Sequence, residues 1–508
     1  MLSTRARRRL LPVVLTCAAL AAPGSLLVAS AQSSSAGPCS AADPGGAWTT
    51  YGHDQSNTRT QDAETTLAPA RVANLHAAWT LATSGALQST PIVSGGCVYL
   101  TTSTGQVYAV AASTGKVVWQ VAVPVVTPAS TGGALPGAPT VVDGRVFVLA
   151  ADTGRPFAEA LDAQTGALVW RSTPVTTQAG SYTNASAAVY KHVLVFGYSS
   201  AEGVDGGQGG VSLLDTRTGA ILADVPTIPV ADQAKGYAGG GIWSTAAFDR
   251  DGYAYVGAGN PDSKMLEHAR TNAILKIDVN EDRSTFGQIV ASYKGNVDQY
   301  DSSLQALSQT PACAASDNTG APWPLDDPVC GQLDLDFGAS PNLIADDHGG
   351  LLVGDLQKSG TYHVAHASTM SPAWQTLVGG TCASCNAAST AYDGSSVYVI
   401  ATPGGVLWSL DALTGARNWV TPVGDGVHYE PITVADGVVY TVDGEGFLDG
   451  WSTQDGSVVV KHSIASDVST AVGGVTSAGV AIADHTVFAA TSDPSMATGY
   501  LVAYQPGS

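Results

Sequence analysis

Three consecutive glycines, Gly239-Gly240-Gly241, precede Ile242 and Trp243, and the stretch Tyr253-Ala254-Tyr255-Val256-Gly257-Ala258-Gly259-Asn260-Pro261 follows shortly after. Glycine inside a strand pattern marks a close approach of the backbone to something. A tryptophan behind such a run offers a flat face to a planar ligand, or simply fills a core beside a glycine turn, and on these residues alone both readings stand. Oxygen-bearing side chains recur nearby: Glu202 in Phe196-Gly-Tyr-Ser199-Ser200-Ala-Glu202, Asn260 after Gly257-Ala-Gly, and Asp334 and Asp336 in Asp334-Leu-Asp336-Phe-Gly-Ala-Ser-Pro341. Carboxylate and amide oxygens are the ligands a hard cation such as calcium takes, six or more at a time. A carboxylate can also accept a proton from a reacting hydroxyl. Asp334 and Asp336 are two apart, so on a strand they share a face. Lys358, in Gln357-Lys358-Ser359-Gly360, adds a cation. The plainer readings are that Asn260 shapes a turn before Pro261 and that Glu202 and Lys358 are solvated loop charges. His363 and His366, three apart, fall on opposite faces of a strand, which assigns them to packing rather than to one metal ion.

These residues need a frame, and the chain repeats one phrase from end to end. Gly105-Gln-Val-Tyr-Ala-Val-Ala-Ala-Ser-Thr-Gly115-Lys-Val-Val-Trp119 returns as Phe157-Ala-Glu-Ala-Leu-Asp-Ala-Gln-Thr-Gly166-Ala-Leu-Val-Trp170 and as Gly210-Val-Ser-Leu-Leu-Asp-Thr-Arg-Thr-Gly219. It continues as Ala273-Ile-Leu-Lys-Ile-Asp278, Gly405-Val-Leu-Trp-Ser-Leu-Asp-Ala-Leu-Thr-Gly415-Ala-Arg-Asn-Trp419, Gly446-Phe-Leu-Asp-Gly-Trp451 and Gly499-Tyr-Leu-Val-Ala-Tyr504, with a degenerate copy around Thr361 to Trp374. Most spacings are near ~50 residues, the range of propeller and solenoid repeats. Apolar runs cut by Asp-Gly or Gly-Gly turns precede each phrase, as in Ala138-Pro-Thr-Val-Val-Asp-Gly-Arg-Val-Phe-Val, so each unit reads as four short strands. Four-stranded units repeated radially make a β-propeller. Eight units are present, and the last ends at Tyr504 without a fourth strand. Leu75-His-Ala-Ala-Trp79-Thr-Leu matches the tryptophan-bearing fourth strands and is expected to close the ring, which removes a free sheet edge.

Arg5, Arg7, Arg8 and Arg9, an apolar run from Leu10 to Val28, and Ala29-Ser30-Ala31 have the order of a secretory signal, so residues 1–31 are expected to be removed and the product exported, to the periplasm, cell envelope or medium. Residues 32–46, rich in Ser, Ala, Gly and Pro, read as a flexible tail, and 47–508 as one propeller domain. No later apolar run reaches the roughly 20 residues of a membrane span. The formal charge of −20 excludes a nucleic-acid partner. Six cysteines follow the signal segment, an even count suited to an oxidising compartment. Cys313 with Cys330 and Cys382 with Cys385 are the expected pairs, leaving Cys39 for Cys97.

In Trp48-Thr-Thr-Tyr-Gly-His-Asp54 with Asn57-Thr-Arg59, in the Thr-Gly/Trp phrase and in the three site motifs, the chain resembles the quinoprotein dehydrogenases. The polyvinyl-alcohol dehydrogenase branch, which uses pyrroloquinoline quinone (PQQ) and calcium, is the most similar. The resemblance spans about residues 47 to 508 and implies a role for each site residue. Ser199 would contact the quinone, Trp243 would stack on it, and Lys358 would meet it with its charge. Glu202, Asn260 and Asp336 would ligate calcium. Asp336 would be the catalytic base, with Asp334 as the alternative. Two departures stand out: there is no adjacent cysteine pair, and Cys382-Ala-Ser-Cys385 is followed by Asn386, so it lacks the histidine of a c-type haem attachment site. A tight disulfide is the first reading of that motif and a redox relay the second. Without a haem domain, electrons would leave to a separate acceptor such as a cytochrome c. The expectation is therefore an exported, all-β, eight-bladed propeller that oxidises a secondary or polymeric alcohol with PQQ and calcium. Its rivals are a propeller that kept the scaffold without the cofactor and serves as a binding protein, and a quinone enzyme acting on a sugar.

Overall fold

The computed structural model describes residues 38–130, 132–201, 204, 206–261, 267–296, 335–380, 386–401, 405–424, 429–474 and 477–507. Eight antiparallel sheets follow one another around an axis. Blade 1 lies between Ile92 and Ala122, blade 2 between Thr140 and Arg171, and blade 3 between Ala188 and Pro226. Blade 4 comprises Ala247–Phe248, Tyr253–Ala258, Ala273–Asp278 and Ile289–Lys294, and blade 5 comprises Asn342–Ala345, Leu351–Leu356, Thr361–His366 and Pro372–Leu377. Blades 6 and 7 lie between Ala391 and Pro422 and between Thr433 and Ser463. Blade 8 takes Val480–Ala483, Thr486–Ser492 and Thr498–Pro506 from the end of the chain and Leu75–Ser84 from its beginning, with Trp79 opposite Ala503. The ring therefore closes as the orphan third strand implied.

The repeated phrase works by joining neighbours. The glycine of each Thr-Gly turn has a positive φ, 70° at Gly115 and 72° at Gly166, and lies flat against the tryptophan of the preceding blade: a β-carbon on Gly115 would come within 2.6 Å of the Trp79 ring, and one on Gly166 within 2.7 Å of Trp119. Trp170, Trp374 and Trp419 stand likewise under Gly219, Gly415 and Gly456. Each of these indoles donates its N–H to a carbonyl of the next blade, of Ala112, Ala163, Thr216, Ala412 and Thr453 respectively for Trp79, Trp119, Trp170, Trp374 and Trp419. At the same register position blades 3, 4 and 7 carry Ala223, Ala291 and Val460 instead.

Hydroxyls join the blades on the axial side. Ala138 N–H donates to Ser186 Oγ, Ser186 N–H to Thr245 Oγ1, Thr245 N–H to Ser340 Oγ and Ser340 N–H to Ser389 Oγ, at 2.9–3.3 Å. Residues 48–61 run along this axial face and pair with the first strands of most blades. Trp48 bridges Val93, and the carbonyls of Thr49, Gln55, Ser56, Thr58 and Arg59 accept from the N–H groups of Val141, Phe248, Leu343, Tyr392 and Val434. Gln61 Nε2 donates to Ile482 O at 3.0 Å. The Arg59 guanidinium, 1% exposed, donates to Ile432 O and Tyr51 O and to the hydroxyls of Thr90 and Thr433.

Composition alone marks residues 32–46 as loose, but from Pro38 onward the chain is tied to blade 1. Cys39 is disulfide-bonded to Cys97, Asp43 accepts from the N–H groups of Gly95 and Gly96 at 2.8 Å, and Ala41 N–H donates to Gly95 O. These four bonds outweigh a polar composition. No helix among the described residues is long and apolar enough to cross a membrane.

Candidate functional site

Trp243 and Asp336 each precede the first strand of a blade, blade 4 and blade 5, while Ser199, Asn260 and Lys358 lie at or just after the ends of second strands. Around a ring, those positions fall at one end of neighbouring blades, which is how residues from 199 to 358 meet.

The centre is a buried ion pair. Lys358 Nζ is 2.7 Å from Asp336 Oδ2, with both side chains 6% exposed. The other carboxylate oxygen, Oδ1, accepts the backbone N–H of Asn260 at 2.5 Å, and Lys358 N–H donates back to Asp336 O at 2.9 Å. The Lys358 ammonium also stands 4.7 Å from the centroid of the Trp243 ring, within the range of a cation–π contact.

The glycines make the approach possible. A β-carbon on Gly259 would come within 2.8 Å of Asp336 Oδ1, and one on Gly241 within 2.6 Å of Ser199 Oγ. Gly259 N–H donates to Gly241 O at 2.8 Å and Gly240 N–H to Asn260 O at 2.9 Å, which brings the triple-glycine run against the loop carrying Asn260. Gly338 passes the far edge of Trp243 at 3.3 Å, measured to its would-be β-carbon. Ser199 Oγ is buried and has no hydrogen-bond partner among the described residues, and neither has Ser200 Oγ. A buried hydroxyl left open costs roughly 1–3 kcal/mol unless something binds it, so Ser199 suits a ligand's polar edge.

The structure therefore brings Ser199, Trp243, Asn260, Asp336 and Lys358 to one region. Glu202, Asp334, Cys382, Cys385, Cys313 and Cys330 lie outside the described residues. His363 is buried between Tyr293, Phe337 and Gln357, with Nδ1 3.0 Å from Tyr293 Oη and Nε2 3.0 Å from Gln357 Oε1, and its pKa is lowered to about 4 by burial. His366 points to the exposed side.

Sequence reasoning gave no role to three further residues. Asn386, with φ 54°, donates from Nδ2 to Lys358 O and to Gly380 O and so steadies the lysine's turn. Asp355 is fully buried with Oδ2 unpartnered, and burial pushes its pKa well above the usual carboxylate range. Asn57 sits beneath the segments carrying Trp243 and Asp336. It belongs to the Trp48–Arg59 motif, which was a signal of family without a signal of role.

The chain is 30% identical over 246 residues to a quinohemoprotein alcohol dehydrogenase of Comamonas testosteroni, a match covering 42% of this chain and 33% of that protein. The matched part is thus a third of that relative's length. The crystal structure of the quinohemoprotein alcohol dehydrogenase from Comamonas testosteroni superposes with a TM-score of 0.68 at 17% identity, covering 91% of this chain and 82% of the other. A europium-containing methanol dehydrogenase gives 0.68 at 14% identity over 91% and 98%. BamB from Moraxella catarrhalis gives 0.54 at 14% identity over 85% and 99%. The fold is thus an eight-bladed propeller shared with quinoprotein alcohol dehydrogenases. The PQQ-repeat family model described as outer membrane protein assembly factor BamB matches residues 71–304 and 318–498, and the chain belongs to that family.

Proposed function

We propose that the protein is a PQQ- and calcium-dependent dehydrogenase that oxidises an alcohol, secondary or polymeric, and passes electrons to a separate acceptor such as a cytochrome c. Export through residues 1–31 and a domain running from 47 to 508 belong to the same proposal. The observation that carries it is the Asp336–Lys358 pair, buried beside Trp243 and within reach of the Asn260 backbone. A buried ion pair is at best neutral for stability against apolar residues of similar volume. A scaffold has no use for one beside an open serine hydroxyl, whereas a catalyst does.

The residues present fit the cofactor. Trp243 supplies an aromatic face, Lys358 a charge for an anionic quinone, and Ser199 an unsatisfied hydroxyl. Asn260 and Asp336, with Glu202, supply oxygens of the kind calcium takes. When bound, the quinone would supply a hydride acceptor and calcium a Lewis acid. The chain's own part is narrower. Asp336 takes the hydroxyl proton at a carboxylate oxygen; the Asn260 N–H and Lys358 ammonium orient that carboxylate and hold it ionised; Gly241 and Gly259 let the two segments close and exclude water.

Two family members differ in what they do, so the scaffold reading has a specific observation of its own: the likeness to BamB from Moraxella catarrhalis. An absorbance titration with PQQ and calcium, set against calcium alone, decides between them. Uptake of quinone followed by alcohol-dependent reduction of a dye acceptor is the expected result. No uptake, even with excess calcium, leaves the scaffold.

A further inference from the structure

Trp243 belongs to blade 4 and the Asp336–Lys358 pair to blade 5, so the site is only as well formed as the seam between them. That seam lacks the usual outer fastening. Where blades 1, 2, 5, 6 and 8 present a tryptophan to the next turn, blade 4, like blades 3 and 7, does not: it presents Ala291, and the next turn reverses at Met370, φ 57°, rather than at a glycine. Lys276 Nζ donates to Ala367 O at 2.8 Å in the place of an indole N–H, which supplies the hydrogen bond without the flat ring surface.

At the axial end the seam has an extra fastening. The chain turns tightly at residues 54–58, where Asp54 accepts from the N–H groups of Ser56 and Thr58 and from the Thr58 hydroxyl. Asn57 takes φ 52°, a left-handed conformation that asparagine tolerates better than most residues. Its side chain, in a residue 3% exposed, sends Nδ2 to Thr245 O at 3.0 Å and to Pro341 O at 3.2 Å. Both partners are carbonyls, so the amide nitrogen must be the atom between them. Thr245 lies just after Trp243 in blade 4, and Pro341 shortly after Asp336 in blade 5. The same turn accepts Phe248 N–H at Gln55 O and Leu343 N–H at Ser56 O, one from the first strand of each blade, and Asn342 Nδ2 donates to Asn57 O. Thr245 N–H to Ser340 Oγ is the ordinary axial link, present at neighbouring seams too. The Asn57 bridge is added to it.

We propose that Asn57 is a positioning residue that sets the distance between Trp243 and the Asp336–Lys358 pair by tying blade 4 to blade 5 at the axis, where the outer end of that seam lacks its tryptophan. The inference rests on the functional reading above for its consequence in catalysis, but not for the bridge itself.

The test uses N57G and N57D in the full mature chain. Glycine adopts φ 52° without strain and removes only the carboxamide; aspartate keeps the shape and turns an oxygen toward two carbonyls. Hydrogen exchange of the cofactor-free protein should quicken at least tenfold in peptides covering 243–248 and 336–345, and not in blades 1 and 2, as expected when about two hydrogen bonds are lost locally. Quinone affinity with calcium should weaken by about tenfold, and turnover at saturating quinone should fall by a further ~10-fold or more, because misplacement of reacting groups acts on the rate. N57D should be the more affected. Unchanged exchange in both peptides, or exchange raised evenly around the ring, overturns the proposal. So does failure of both variants to fold, which would assign Asn57 to general stability. If the unaltered protein takes up no quinone, the functional reading fails while the exchange experiment still decides the bridge.

Discussion

Replacing the partners of the buried ion pair singly and together separates a working pair from a packing accident. Lys358→Met would leave the Asp336 carboxylate at 6% exposure without this ammonium, and removing one partner of a buried pair costs roughly 3–5 kcal/mol of stability. Asp336→Asn leaves the ammonium buried instead. The Trp243 face at 4.7 Å offsets part of that, by about 2 kcal/mol at most, so the lower end of the same range is expected. The double variant D336N/K358M removes both charges and should lie within about 1 kcal/mol of the unaltered protein, because neither charge is left stranded. Denaturant unfolding of cofactor-free protein at equal m-values measures all four species. Turnover should follow a different pattern: D336N loses at least about 100-fold, the low end of a general-base contribution, and the restabilised double variant stays inactive. A coupling below about 0.5 kcal/mol would refute the pairing itself. Full turnover by D336N would move the base away from Asp336.

Trp79→Ala should destabilise by roughly 3 kcal/mol, since Trp79 joins the two ends of the chain and holds both Gly115 and the Ala112 carbonyl; thermal unfolding that is unchanged would argue that blade 8 does not close the ring. Reduction of Cys39–Cys97, which bridges 58 positions, should lower stability by about 4 kcal/mol in the chain-entropy model, measured with and without reductant. His363 has a folded pKa of about 4 against an ordinary 6.5, so the unfolded chain takes the proton first. Its contribution is fully present above about pH 6.5 and is lost as pH falls through about 4, by up to about 3 kcal/mol. His363→Gln should flatten the stability profile in that window, and an unaltered slope would show that His363 is already protonated in the fold.

The blade count and the closing strand were legible because they rest on short-range pattern: Thr-Gly turns, alternating strands and a tryptophan at a fixed offset. The motifs singled out Trp243, Asn260, Asp336 and Lys358, which the structure brings together, yet nothing in the spacing shows that the Asn260 backbone, rather than its side chain, meets Asp336 Oδ1. What holds residues 48–61 to the axis was not legible either. Those bonds join residues up to several hundred positions apart, mostly through backbone carbonyls, and a carbonyl leaves no mark on sequence composition. Of the anchoring of residues 38–46, the Cys39–Cys97 disulfide was legible from the cysteine count, while the links of Asp43 and Ala41 escaped because they run to main-chain groups of Gly95 and Gly96.

Two separable sets of residues therefore share each blade. Third and fourth strands carry the glycine and tryptophan that fasten one blade to the next, in the same way at five of the eight seams. The ends of the first and second strands carry Ser199, Trp243, Asn260, Asp336 and Lys358, which differ from blade to blade and take no part in the glycine–tryptophan fastening. A propeller can lose the second set and still fold, which is why one fold can serve proteins as different as a quinohemoprotein alcohol dehydrogenase and BamB. The converse is visible on both sides of blade 4, where Ala223 and Ala291 stand in place of tryptophan. The fastening is thinned on both sides of the blade that carries Trp243 and Asn260, and at its seam with blade 5 the Asn57 amide and the Asp336–Asn260 contact add axial links. Chemistry and cohesion at that seam then depend on the same few polar groups, so substitutions there should disturb ligand binding before they disturb the ring.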